Sequence, residues 1–247
     1  MPVSPNFKSV HTSNFTVCFT QCTPQGYLKY TELCNLLQIT AAAHADSGGI
    51  SFTDLQHADQ AWVLSRMRVE ISELPKWRDS ISVKTWIVSM ENSRSVRALE
   101  VWCGDKKIIG CETFWAIFNT KSRRPEQLSL PYHHFELFAA RFATTQRVSK
   151  VSLPPDLVPC GDHTVVLSDL DIVNHANHIK YLEWCLDHSD PCIVFQRKIT
   201  SFDMNFMKEL MFGDRVVILA TAHDRDYTFA LQKEGKNCFL LRLTTED

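Results

Sequence analysis

The heptapeptide Leu28-Lys29-Tyr30-Thr31-Glu32-Leu33-Cys34 returns 151 residues later as Ile179-Lys180-Tyr181-Leu182-Glu183-Trp184-Cys185, with Lys, Tyr, Glu and Cys identical in register. Self-similarity at a fixed spacing restricts a chain to architectures built from copies of one unit. The segments downstream of the two copies carry more weight than four identities. In the first half, apolar residues at Leu33, Leu36, Leu37 and Ala41 continue a helical pattern until Gly48-Gly49 breaks it. Strand-like runs then occupy 62–71, 81–89, 95–103 and 108–119. In the second half, Ile179, Leu182 and Leu186 fall at i, i+3 and i+7, as on one face of a helix. Runs at 192–203, 215–223, 227–232 and 237–243 come next, with turns near Asp224-Arg225-Asp226 and Glu234-Gly235-Lys236. A long helix leading into an antiparallel meander, present twice, predicts an α+β chain of two similar layers.

Between the copies, 121–161 carries Pro125, Pro131, Pro154, Pro155 and Pro159. Proline donates no backbone hydrogen bond, so this density argues against a central strand or a helix interior. The expected division is a first domain at 1–120, a surface linker at 121–161 with a short helix near 133–141, and a second domain at 162–247.

With 247 residues and 45% apolar composition, the chain can bury one large core or two small ones. A formal charge of −2 with mixed signs argues against nucleic acid as the partner. Nine cysteines, an odd number with no CxxC pair and several within apolar runs, read as free thiols in a reducing compartment, by default the cytoplasm. No Cys/His set has the spacing of a zinc site, and no apolar run reaches the roughly 18 residues needed to span a bilayer.

The densest chemistry lies in Asp169-Leu170-Asp171-Ile172-Val173-Asn174-His175-Ala176-Asn177-His178-Ile179-Lys180-Tyr181. Acids, amides and imidazoles gather there, just before the second helical pattern. Asn174 or Asn177 suits the N-cap, and Asp169 suits a turn cap. His175 stands between an acid and an amide, the setting of a general base or hydrogen-bond donor.

The run resembles the active-site segment of the acyl-acyl carrier protein (acyl-ACP) thioesterases, a family with two hotdog folds in one chain and the approximate pattern Asp-Leu/Ile-Asp-x-Asn-x-His-Val-Asn-x-x-x-Tyr. Asp169, Asp171, His175, Asn177 and Tyr181 fall on it, while Val173 occupies the place of the family's Asn and Asn174 comes one residue later. Trp62-Val63-Leu64-Ser65-Arg66 resembles the family's Trp-Val-x-x-Arg strand, and Asn119 to Pro125 its basic, proline-containing end of the first hotdog. The resemblance implies a double hotdog in which a long helix is wrapped by an antiparallel sheet twice.

It also implies a hydrolase of fatty acid biosynthesis, without cofactor or metal, that frees the acyl chain from the phosphopantetheine of acyl carrier protein. His175 would act as base or hydrogen-bond the thioester, Asp171 would orient it, and Asn174 and Asn177 would complete the site. Backbone N–H groups around 176–178 would meet the oxyanion, and Asp203 would stand for the family's strand carboxylate. At the 151 spacing, Asp171, His175 and Asn177 lie opposite Thr20, Pro24 and Gly26, so the first domain is expected to bind the acyl chain and perform no chemistry. Lys121, Arg123 and Arg124, with Arg141, Arg147 and Lys150, are candidates for an acidic partner, although a solvated charge run is the simpler reading. Two other readings stay open: a catalytically weakened acyl-chain or carrier-protein binder, motivated by Val173 and Asp203, and an acyl-CoA thioesterase. A homodimer is compatible with each.

Overall fold

In the computed structural model, which describes residues 3–246, the chain divides after Val148 into two compact units. In the first, strand β1 (Val10–Thr16) leads through a 3₁₀ turn at Phe19–Gln21 into helix α1 (Tyr30–Ser47). A short helix α2 (Phe52–His57) comes next, started by Ser51, whose hydroxyl accepts from the Asp54 N–H in a capping box. Then come β2 (Gln60–Ile71), β3 (Ser80–Glu91), β4 (Arg94–Cys103) and β5 (Lys106–Asn119). All strand pairs in this unit are antiparallel, in the order β1-β3-β4-β5-β2.

The i, i+3, i+4 spacing in α1 gives it one buried face, formed by Leu33, Cys34, Leu36, Leu37, Thr40 and His44. Each fully buried leucine contributes about 2 kcal/mol. His44 is buried with Arg97: the guanidinium donates to Nδ1 at 2.8 Å, and Nε2 lies 3.1 Å from the Lys8 carbonyl. Burial, reinforced by the Arg97 charge, lowers its pKa to about 3, so the ring is neutral.

The segment 121–148 packs as part of this unit and forms no helix at 133–141. It is a strap held by side chains, burying Leu128, Phe135 and Ala143. Glu112, wholly buried on β5, accepts from Arg147 Nε at 2.7 Å and from the Val148 N–H at 3.1 Å. On β2, Glu70 takes the N–H groups of Thr145 and Gln146. Gly110 on β5 lies directly under the Ala143 carbonyl, where a Cβ would collide with the strap backbone.

The second unit repeats the plan with β6 (Val158–Thr164), a 3₁₀ turn at Leu167–Asp169, α3 (His178–Asp187), α4 (Pro191–Phe195), β7 (Lys198–Phe206), β8 (Arg215–His223), β9 (Asp226–Lys233) and β10 (Lys236–Glu246). Its antiparallel order is β6-β8-β9-β10-β7. Pro159 does sit in a strand, but β6 is an edge with a register shift at Pro159/Gly161, the place where a missing N–H is tolerated. The strand run expected from 192 begins only at Lys198, because Asp190 caps Cys192 at 2.9 Å and Pro191 occupies the first helical turn.

The units repeat at a spacing of 148, not 151. β1 and β6, the two 3₁₀ turns, the left-handed residues Gly26 and Asn174, and the starts of α1 and α3 all differ by 148. So do the bridges Cys22↔Leu28 and Leu170↔Ala176. Burial agrees: Leu33, Cys34, Leu36 and Leu37 match buried Tyr181, Leu182, Trp184 and Cys185. The Lys-Tyr-Glu-Cys identity is therefore displaced by three residues, nearly one helical turn, from the structural alignment.

Candidate active site

The polar run before α3 folds into a tight loop in which most polar groups hold the loop itself. The Asp171 carboxylate accepts from the N–H groups of Val173 at 3.0 Å and His175 at 3.2 Å, and its own N–H donates to the His175 carbonyl at 2.8 Å. Asn174 takes φ +60°, a conformation an Asn adopts more easily than most residues. Asn177 is the N-cap, its side-chain oxygen accepting from the Ile179 N–H at 3.0 Å. Asp169 is buried and accepts from His163 Nε2 and the Val166 N–H, both at 2.9 Å, while its carbonyl holds the Asn177 N–H. Of the three N–H groups at 176–178, Ala176 is bound to the Leu210 carbonyl and Asn177 to that of Asp169. His178 alone of the three has no backbone N–H acceptor among the described residues.

The His175 side chain takes no part in this framework and meets a carboxylate instead. Its Nε2 lies 3.5 Å from Glu209 Oε2, with both side chains partly exposed. Glu209 lies just past β7 and is held from both sides. The Tyr181 hydroxyl donates to the Lys208 carbonyl at 3.3 Å and accepts from the Leu210 N–H at 3.0 Å, while the Ala176 N–H donates to the Leu210 carbonyl at 2.7 Å. Burial raises the Tyr181 pKa, so its hydroxyl keeps the proton that this two-way bridge needs. His178, packed edge-on against Phe206, has its pKa lowered to about 4 by burial and is neutral.

Asp203 does not join this group. Phe206 and Phe239 contact Tyr181 on α3, and strand alternation turns Phe202, Met204 and Phe206 to that side. Asp203 and its register partner Arg242 therefore occupy the opposite face of the sheet. The carboxylate that meets His175 is Glu209, which lies beyond the strand. A signal for it exists in the turns: Lys76 to Asp79 and Met211 to Asp214 are equivalent, each closed by the Asp accepting the first residue's N–H, at 2.8 and 3.0 Å. That equivalence sets Glu209 opposite Leu74, an acid against an apolar residue.

The acyl-ACP thioesterase N-terminal domain matches residues 8–132, and the C-terminal domain of the same family matches 160–243. The chain belongs to the acyl-ACP thioesterase family. A chloroplastic dodecanoyl-acyl-carrier-protein hydrolase from Cinnamomum camphora is 26% identical over 81% of this chain and 56% of its own length. A chloroplastic palmitoyl-acyl carrier protein thioesterase from Gossypium hirsutum is 24% identical over 95% of this chain and 60% of its own. The chain thus spans little more than half the length of these curated relatives.

Among solved structures, an acyl-ACP thioesterase from Bacteroides thetaiotaomicron superposes with a TM-score of 0.89 at 24% identity, covering 96% of this chain and 98% of that one. A 12:0-ACP thioesterase from Umbellularia californica gives a TM-score of 0.85 at 20% identity, over 97% and 98%. The fold is the α+β double hotdog. Within this acyl-ACP thioesterase family member, the 148 spacing replaces the expected counterparts of Asp171, His175 and Asn177 by Thr23, Tyr27 and Lys29. With Leu74 opposite Glu209, the first unit has neither the imidazole nor the carboxylate of the second.

Proposed function

We propose that the chain is a thioester hydrolase that releases a fatty acid from acyl carrier protein. The observation that carries this reading is the His175–Glu209 pair, 3.5 Å apart beside the start of α3. Glu209 takes a proton from water as the water oxygen bonds to the thioester carbon. His175 hydrogen-bonds to the carbonyl oxygen, where charge builds, and the His178 N–H adds a donor at the positive end of the helix. The carbon–sulfur bond then breaks, and the water proton passes to the pantetheine sulfur. Asp171, Asn174 and Asn177 shape the loop and helix start that hold His175.

Family membership and the relatives' names support acyl carrier protein as the carrier. Nine unpaired cysteines suit a reducing compartment such as the cytoplasm. No helix among the described residues is long and apolar enough to cross a membrane. A homodimer is compatible with this reading and is tested by sedimentation velocity.

The deciding experiment is hydrolysis of a panel of acyl-carrier-protein and acyl-CoA thioesters of graded chain length. Turnover on carrier-protein substrates that drops by about a hundredfold or more in His175→Ala, with the fold intact, supports the proposal. Carrier-protein binding without turnover supports the weakened-binder reading favoured by Val173, and a preference for CoA moves the substrate.

A further inference from the structure

In the second unit, the end of the sheet that carries the candidate site presents His175 among exposed apolar residues, including Leu167, Ile172, Met211 and Phe212. The equivalent end of the first unit is built differently. Phe19, at Leu167's position, is 77% exposed and meets Trp77 edge-on at 6.2 Å; Trp77, at the place of Phe212, is itself 47% exposed. The Arg78 guanidinium lies over the Trp77 ring at 4.3 Å, and Lys76 Nζ is 5.3 Å from the Tyr27 ring. Lys29, at Asn177's place, is exposed, with Nζ on the Thr20 carbonyl.

No carboxylate pairs with the Lys29, Lys76 or Arg78 side chains among the described residues; the nearby Asp79 carboxylate accepts the Lys76 backbone N–H. Three of the six basic residues singled out from the sequence differ. Lys121 is paired with Asp59 at 2.6 Å and Arg147 with Glu112 at 2.7 Å, while Arg141 lies on Trp86 at 3.8 Å. On a chain of net charge −2, three cations without an ion-pair partner among the described residues lie with three exposed aromatic rings.

We propose that the Phe19–Tyr27–Lys29–Lys76–Trp77–Arg78 surface docks the acidic face of the acyl carrier protein. The inference rests on the proposed function and names where its partner binds. Aromatic rings flanked by cations combine apolar contact with attraction for carboxylates, the composition of protein-recognition patches. Contact between identical copies of this surface would set its own cations against one another, which disfavours self-association.

The test compares wild type with a Lys76→Glu/Arg78→Glu variant and with the milder Phe19→Ser. Binding of fluorescently labelled holo-carrier protein is read by anisotropy at two salt concentrations, and hydrolysis is measured on an acyl-carrier protein and on a short acyl-pantetheine thioester. Carrier affinity should fall by about tenfold or more in the charge-reversal variant, and wild-type affinity should weaken as salt rises. For the acyl-carrier protein the loss should appear in KM, with the acyl-pantetheine rate within about twofold of wild type. Unchanged carrier affinity, equal loss on both substrates, or a shift in sedimentation between wild type and variant would overturn the proposal. If carrier binding depends on the patch but no thioester is hydrolysed, the docking surface stands and hydrolysis fails.

Discussion

Glu209 and Asp203 are six positions apart, and the sheet separates their surroundings. Glu209 meets His175, whereas Asp203 shares the opposite face with Arg242. Removing a well-placed polar group from a reacting centre typically costs a hundred- to a thousandfold, so Glu209→Gln should lower kcat by about that factor. Asp203→Asn should leave kcat within about twofold, and steady-state kinetics on one substrate read both. Tyr181→Phe loses the hydroxyl that bridges the residues on either side of Glu209. We expect a kcat decrease of about tenfold with an unchanged circular dichroism spectrum, because a misplacement of about 1 Å is enough to slow chemistry. His175 and Asp171 are legible in the sequence because loop, acid and imidazole lie within five consecutive residues. Glu209 is not, since a chain reversal brings it to the site and only the comparison of two turns reveals it.

At the scale of elements, local signals are readable wherever one periodicity runs uninterrupted, as in α1, β5 and β8. They fail where a short element breaks it. Pro191 and Asp190 begin α4 inside an apolar run that otherwise reads as strand, and β6 holds a proline that its edge position tolerates. The start of α3 depends on one cap, so Asn177→Ala should cost about 1 kcal/mol in a urea titration. Each unit also carries a neutral imidazole on its helix, His44 buried in α1 and His178 half-buried at the start of α3. Burial holds His44 at about 3 and His178 at about 4, both below the ordinary 6.5. The unfolded chain therefore binds protons that the folded chain does not. Stability contributed by these groups is full above pH of about 6.5 and is lost as pH falls towards the folded values, with a limiting slope of about 1.4 kcal/mol per pH unit for each. Denaturant midpoints measured between pH 4 and 7 should show this slope, and His178→Asn should flatten it.

At the scale of the whole molecule, the duplicated plan is visible in the sequence but its register is not. Repeated letters can sit one helical turn away from repeated geometry, and burial and backbone conformation place the copies 148 residues apart. The segment 121–148 lies over the surface of the first unit: prolines exclude regular structure from it, yet its irregular backbone buries Leu128, Phe135, Ala143 and Thr144 and is tied to two strand carboxylates. Among the described residues, Arg147→Ala would leave the buried Glu112 carboxylate with only the Val148 N–H. That change should cost about 3 kcal/mol in thermal or urea unfolding and speed proteolytic cleavage within 121–148. Gly110 supplies the matching constraint from below. In a saturation library, position 110 would resemble a permissive strand site by propensity but should accept almost nothing larger than hydrogen, because its substitutions are judged by the segment passing overhead.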